Sequence, residues 1–239
     1  MLDGARIKPG DSVADVGAGT GLLTLGALDL VGSDGDVIAL DLSVDALEEL
    51  RANTTAANIS YLVGQADVLP LRDVSIDVVV TRSVLIYVDD KAEAAREFER
   101  VLRPGGRVSL FEPINSRNLR LWQAVDLSPL GDLGERLQEW TEVFYANPTD
   151  PMLNFDDTDL ERFFAEAGFA EVALSLETSE YEVEGDRFLN QVGAPGRPTV
   201  LQRWTADFAP DEVERLADFV RARSIKLGHT EAFLTAGKP

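Results

Sequence analysis

The chain predicts an α/β fold: a mostly parallel, doubly wound sheet covered by helices on both faces. Two observations carry this. Short apolar runs of about strand length alternate with amphipathic stretches of about helix length through the first half. A glycine turn, Gly17-Ala-Gly19-Thr-Gly21, joins the first run to the first amphipathic stretch, and Pro104-Gly105-Gly106 punctuates a later junction.

The elements follow in order. Ser12–Val16 reads as a buried strand and Thr20–Leu30 as a helix. Asp36–Leu40 is the second strand, followed by a helix from Val44 to Ala57 with Ser43 as its N-cap. Ile59–Val63 and Ile76–Thr81 supply strands three and four. Lys91–Leu102 repeats apolar residues at Ala94, Ala95, Phe98, Val101 and Leu102, which marks one face of a helix. The Pro-Gly-Gly turn then leads into the strand Arg107–Phe111. After Pro113 the rhythm breaks, and residues 114–155 carry aromatics without a strand pattern, a helical insertion or lid. Asp156–Ala167 reads as a helix with an acidic first turn and a stop at Gly168. Val172, Leu174 and Leu176 alternate as a strand. The Gly- and Pro-rich stretch 185–209 is expected to be a long loop, Asp211–Lys226 a helix and Ala232–Thr235 a final short strand. The expected organisation is therefore one domain: a nucleotide-binding core over 1–113, the insertion 114–155, completion of the sheet by 156–184 and 230–239, and a second insertion over 185–229.

Composition narrows the function. The 239 residues include no cysteine and one histidine, His229, so disulfides, thiolate nucleophiles and clustered histidine metal sites are excluded. No metal is expected. The formal charge of −20 opposes general attraction to nucleic acid or anionic membrane, and only four of the 22 basic residues are lysine. No apolar run is long enough to cross a bilayer and the N-terminus lacks a secretory signal, so a cytoplasmic location is expected.

The glycine turn carries the sharpest signal. A turn between a buried strand and a helix uses glycine where the backbone needs positive φ and where a ligand approaches the main chain. The dinucleotide pattern G-x-G-x-x-G fails from Gly17, because Leu22 stands sixth, and fails from Gly19. The phosphate loop G-x-x-x-x-G-K-[ST] fails for want of a lysine.

What stands here, Asp15-Val-Gly17-Ala18-Gly19-Thr-Gly21, resembles the first motif of the class I S-adenosylmethionine-dependent methyltransferases. Four further landmarks follow in family order: Asp41 closing VIALD, Asp67-Val68 in GQADVLPL, Arg82-Ser83 after the fourth strand, and VLRPGGRVSLFEP over Val101–Pro113. The resemblance implies a Rossmann-like sheet of seven strands with the last antiparallel. It implies S-adenosyl-L-methionine as methyl donor, S-adenosyl-L-homocysteine as product, and a cofactor site of Asp15, Gly17, Ala18, Gly19, Gly21, Asp41, Leu42, Asp67, Val68, Arg82 and Ser83. Asp41 would accept hydrogen bonds from the two ribose hydroxyls, charge-assisted bonds of roughly 1.5–3 kcal/mol. Asp67 and the Val68 N–H would take the adenine edge, with Leu42 and Val68 beside the ring. Asp15 would orient the glycine turn near the cofactor's amino group.

Direct displacement at a sulfonium methyl needs alignment of the acceptor and exclusion of water, with a general base only for a protonated, weakly nucleophilic acceptor. Catalytic residues are therefore poorly marked. Tyr87, Glu112 and His229 are the candidates, and each has a structural alternative: packing for the first two, an incidental surface histidine for the third. The acceptor is expected to be a small, partly apolar molecule bound by the two insertions, where Trp122, Trp140, Phe144 and Tyr145 lie. The first strand begins near Ser12, so the upstream helices common in the family are expected to be replaced by the insertions or to precede this sequence. Two other readings stand beside this one: an NAD-dependent oxidoreductase, which fits Asp41 but not the glycine spacing, and a non-catalytic cofactor-binding subunit.

Overall fold

The computed structural model describes residues 1–194 and 196–239. A short helix α1 (Leu2–Ala5) precedes β1 (Ser12–Val16), and the glycine turn leads into α2 (Leu22–Val31). There follow β2 (Asp36–Asp41), α3 (Val44–Ala52), β3 (Ile59–Val63), β4 (Ile76–Arg82), α4 (Lys91–Val101) and β5 (Leu102–Pro113). Beyond them come α5 (Leu121–Ala124), α6 (Asp132–Tyr145), α7 (Asp157–Glu166), β6 (Ala170–Glu184), α8 (Gly185–Asn190), α9 (Val200–Asp207), α10 (Pro210–Arg221) and β7 (Ser224–Gly237).

Seven strands form one sheet in the order β3-β2-β1-β4-β5-β7-β6, six of them parallel and β7 antiparallel, as the family resemblance implies. β1 lies between β2 and β4, with Val13 opposite both Val37 and Val78. β1 and β4 are buried at most positions, because a central parallel strand has no solvated side, and their valines fill both faces. The chain first builds outward from β1 to β3 and then returns to place β4 on β1's other side. The connections therefore diverge at the carboxyl ends of β1 and β4, where open α/β sheets leave a crevice for a ligand.

Local signals set the helix starts. The Ser43 hydroxyl accepts the Ala46 N–H at the head of α3, and the Asp90 carboxylate accepts the Glu93 N–H at the head of α4. Asp156 and Asp159 cap α7 reciprocally. α4 and α7 pack on one face of the sheet through Phe98 and Phe164, whose rings lie 6.3 Å apart. α2 covers the other face through Leu23, Ala27 and Val31.

The chain divides into two compact units. The first comprises 1–115, 148–177 and 231–239 and holds the sheet core just described. The second comprises 116–147 and 178–230 and has its own core of Leu133, Leu137, Leu189, Trp204, Leu216 and Val220. In it Trp140 stacks on Phe144, and Arg120 lies over the Tyr145 ring.

Three expectations from sequence are corrected. The stretch 185–209, expected as a loop, contains α8 and α9. A Cβ on Gly185 would lie 1.9 Å from the Val220 carbonyl oxygen, so glycine is required where α8 starts against α10. Pro195 lies outside the described residues. The last helix stops at Arg221 instead of Lys226, and the last two strands are far longer than expected, 15 and 14 residues. The alternation in β7 is carried partly by Gly228 and Thr230 on its buried side, which hydropathy does not register.

Candidate functional site

The three turn glycines adopt φ values of +74°, +52° and +101° at Gly17, Gly19 and Gly21, a left-handed succession that residues with a Cβ rarely follow. Space adds to this at Gly17, where a Cβ would lie 2.0 Å from Val84 Cγ2. The turn is sewn to the neighbouring strand. Gly17 and Ala18 donate to the Leu40 carbonyl at 2.7 and 2.9 Å, and Gly19 donates to Asp41 Oδ2 at 2.8 Å. The other carboxylate oxygen of Asp41 accepts the Ser43 N–H at 2.8 Å. Asp41 thus ties the end of β2 to the glycine turn on one side and to α3 on the other, and each oxygen keeps a lone pair for a further donor.

A cleft of about 490 Å³ opens at these strand ends, within the range usual for small-molecule sites. Val16 and Gly17 supply its floor from β1, and Leu40, Asp41 and Leu42 supply one side from β2. Gly64 to Asp67 follow β3, in a tight turn closed by a bridge between Gln65 and Val68. The opposite wall is the segment after β4: Arg82, Ser83, Val84, Tyr87, Val88 and Asp89. Leu42 and Tyr87 are 63% and 54% exposed, so the cleft offers apolar surface to a ligand. The Arg82 guanidinium sits 4.9 Å above the Phe111 ring.

Asp15 does not line this cleft. It is buried in β1 and accepts the Thr24 hydroxyl at 2.5 Å, locking β1 to α2 beneath the turn. Burial pushes its carboxyl up to about 7, against the opposing effect of the Thr24 hydrogen bonds. Glu112 is also buried and outside the lining. Its oxygens accept three successive backbone N–H groups, from Val84 and Leu85 at 2.9 Å and Ile86 at 3.1 Å. Burial likewise raises its carboxyl to about 7.

The sequence-derived candidates therefore separate into groups. Gly17, Asp41, Leu42, Asp67, Arg82, Ser83 and Tyr87 come together in the cleft, with Ala18, Gly19 and Gly21 behind it in the turn. Val68 is adjacent in sequence but turned outward, 68% exposed. His229 lies in β7 within the second unit, hydrogen-bonded to Ser179 and edge-on to Tyr181. Sequence reasoning missed Lys91. Its ammonium is buried, donating to the Val88 and Pro151 carbonyls and to Asn154 Oδ1 at 2.7–2.9 Å, over the Phe155 ring. Burial lowers its pKa to about 8. Standing first in an amphipathic helix, it carried no mark that set it apart from a surface lysine.

A family model described as a methyltransferase domain matches residues 14–110, the stretch that builds this cleft. Over 175 residues the chain is 32% identical to the ubiquinone/menaquinone biosynthesis C-methyltransferase UbiE of Vibrio campbellii, covering 70% of this chain and 68% of that one. The chain belongs to the class I S-adenosylmethionine-dependent methyltransferases. Solved structures share the fold of this methyltransferase. The YcgJ protein of Bacillus subtilis matches all of the chain and 96% of its own length, with a TM-score of 0.59 at 17% identity. Phosphoethanolamine N-methyltransferase 2 of Haemonchus contortus, in complex with S-adenosylhomocysteine, matches 98% of the chain and 50% of its own, with a TM-score of 0.59 at 17% identity.

The donor set of the methyltransferase fits S-adenosylmethionine. A glycine turn whose Cβ space is closed at Gly17 brings main chain to the cleft floor, two carboxylates stand at the ends of β2 and β3, and apolar side chains flank them. No helix among the described residues is long and apolar enough to span a membrane.

Proposed function

We propose that this methyltransferase transfers the methyl group to carbon on a small, partly apolar acceptor, with the cofactor held in the cleft between the glycine turn and the segment 82–89. The observation that carries this reading is the single cleft joining Gly17, Asp41 and Asp67 to Tyr87 and Val88. Carbon as the acceptor atom is supported by the relatives, which are named as C-methyltransferases.

When bound, the cofactor supplies a methyl carbon already activated by its sulfonium. The chain's own task is then to bind and align. Asp41, held by two backbone N–H groups, is positioned to accept ribose hydroxyls without rearranging. Asp67 offers an acceptor to an adenine amine, and Leu42 offers its exposed face to the ring. Tyr87 and Val88 form the apolar wall nearest the acceptor and exclude water from it. Asp15 acts beneath the turn, through Thr24, rather than on the ligand. Glu112 does not serve as a base in this reading, since it is committed to backbone. A non-nucleic-acid acceptor belongs to the same reading, on the strength of the −20 charge.

Calorimetry with S-adenosylmethionine, S-adenosylhomocysteine and NAD tests the cofactor half. Binding of both adenosyl compounds and not NAD is expected, and the converse would refute it. Incubation with labelled methyl donor and a panel of hydroquinones, catechols and amines, followed by mass spectrometry, tests the acceptor half. Methylation confined to nitrogen or oxygen would overturn the carbon assignment.

A further inference from the structure

The wall 83–88 is held by groups that lie outside the cleft. Ser83, a non-glycine residue at φ +56°, begins it, and such a conformation persists only where the surroundings impose it. They do: the Ser83 N–H donates to the Phe111 carbonyl at 2.9 Å, and the next three N–H groups all converge on Glu112. The end of β5 is therefore a template on which the segment after β4 is laid. Tyr87 and Val88 then close back onto the Val84 and Leu85 carbonyls as a tight turn. Lys91 fixes the far end by donating to the Val88 carbonyl.

We propose that Glu112 is a positioning residue: its buried carboxylate holds Val84, Leu85 and Ile86 so that the wall stays fitted to the bound adenosyl ligand, and its loss loosens ligand binding. The inference rests on the cleft being the cofactor site. Three consecutive N–H donors pointing one way form a concave anion nest, and they are satisfied here by one side chain. An apolar residue at 112 would leave three donors, two of them buried, without partners. A glutamine would still accept from two of them but would turn an NH2 group toward the third. Val84 is the hinge of the effect, since it lies against Gly17 and lines the cleft as well. Movement of Val84 changes both the wall and the floor.

The test compares wild type, Glu112→Gln and Glu112→Ala for S-adenosylhomocysteine affinity by calorimetry, well below each variant's melting temperature. A purely structural role would lower melting temperature and leave the affinity of the folded protein unchanged. The expected order is wild type, then Gln about tenfold weaker, then Ala weaker still. Affinities within twofold of wild type in folded variants overturn the proposal. Hydrogen exchange supplies an arm that needs no variant: saturating S-adenosylhomocysteine should slow the 84–86 amides of the wild-type protein, and unchanged exchange overturns the proposal even if both variants fail to fold. Wild type failing to bind S-adenosylhomocysteine would instead refute the cleft assignment itself.

Discussion

Replacing Gly17 and Gly19 separately by alanine divides the glycine turn's requirement into a backbone part and a space part. Both residues have positive φ, so each alanine meets the left-handed penalty of about 1–2 kcal/mol, reduced by roughly 0.4–1 kcal/mol because alanine restricts the unfolded chain. Only Gly17 also lacks room. Its added Cβ would sit 2.0 Å from Val84 Cγ2, whereas nothing lies within 4 Å of one on Gly19. Relief by moving Val84 is resisted, because its N–H is held by Glu112 at 2.9 Å and its branched side chain has few rotamers. Overpacking of this kind adds about 1–3 kcal/mol. Gly17→Ala is therefore expected to cost about 2–4 kcal/mol and Gly19→Ala about 1 kcal/mol, or melting temperatures lower by roughly 5–15 °C and 2–4 °C in a chain of this size. Thermal unfolding followed by circular dichroism measures both. Equal losses would refute the steric argument, and no loss in either would refute the conformational one.

Three further outcomes are expected. Asp41→Ala removes the acceptor that ties Gly19 and Ser43, and should weaken S-adenosylhomocysteine binding at least tenfold by calorimetry; unchanged affinity would exclude Asp41 from the site. Asp15 is raised to about 7 when folded, so between roughly pH 4 and 7 the native state holds a proton that the unfolded chain releases, and stability falls as pH rises through that window. Asp15→Asn should then gain stability over wild type at pH 8 and none at pH 4 in urea titrations, and an equal difference at both would refute the shift. Lys91→Met leaves the Val88 and Pro151 carbonyls without their buried donor and should cost about 2–4 kcal/mol in the same titrations; a change below about 0.5 kcal/mol would show that the bonds contribute nothing net.

The cofactor half of the fold was legible because its signals are local. A central parallel strand is rich in valine and isoleucine, a left-handed turn favours glycine, and an acid at a strand end needs no partner from afar to be noticed. Val13, Gly17 and Asp41 each satisfy such a rule within a few residues. The second unit was legible only in part, for the converse reason. Gly185 is needed only because the Val220 carbonyl approaches it, 35 positions away, and read locally it looks like loop. β6 was legible only over Val172–Leu176, since most of its residues are exposed and the polar run Glu177–Glu180 interrupts the alternation.

Glu112 shows the same limit within the site. A glutamate closing a strand beside a cleft looks like a general base, because sequence reports that the group can titrate and not what has been hydrogen-bonded to it. Three backbone donors from 26–28 positions earlier occupy its oxygens, and backbone donors leave no trace in residue identity. The consequence reaches beyond this residue. Direct displacement at an activated methyl places little demand on proton transfer and much on alignment. Ionisable groups in such a site are then free to be used for holding main chain, as Asp41, Glu112 and Lys91 do here, while Asp15 holds the Thr24 hydroxyl. Glu112 and Lys91 are thus fixtures of the wall 84–88. Burial is the largest cause of the perturbed pKa values of Asp15, Glu112 and Lys91.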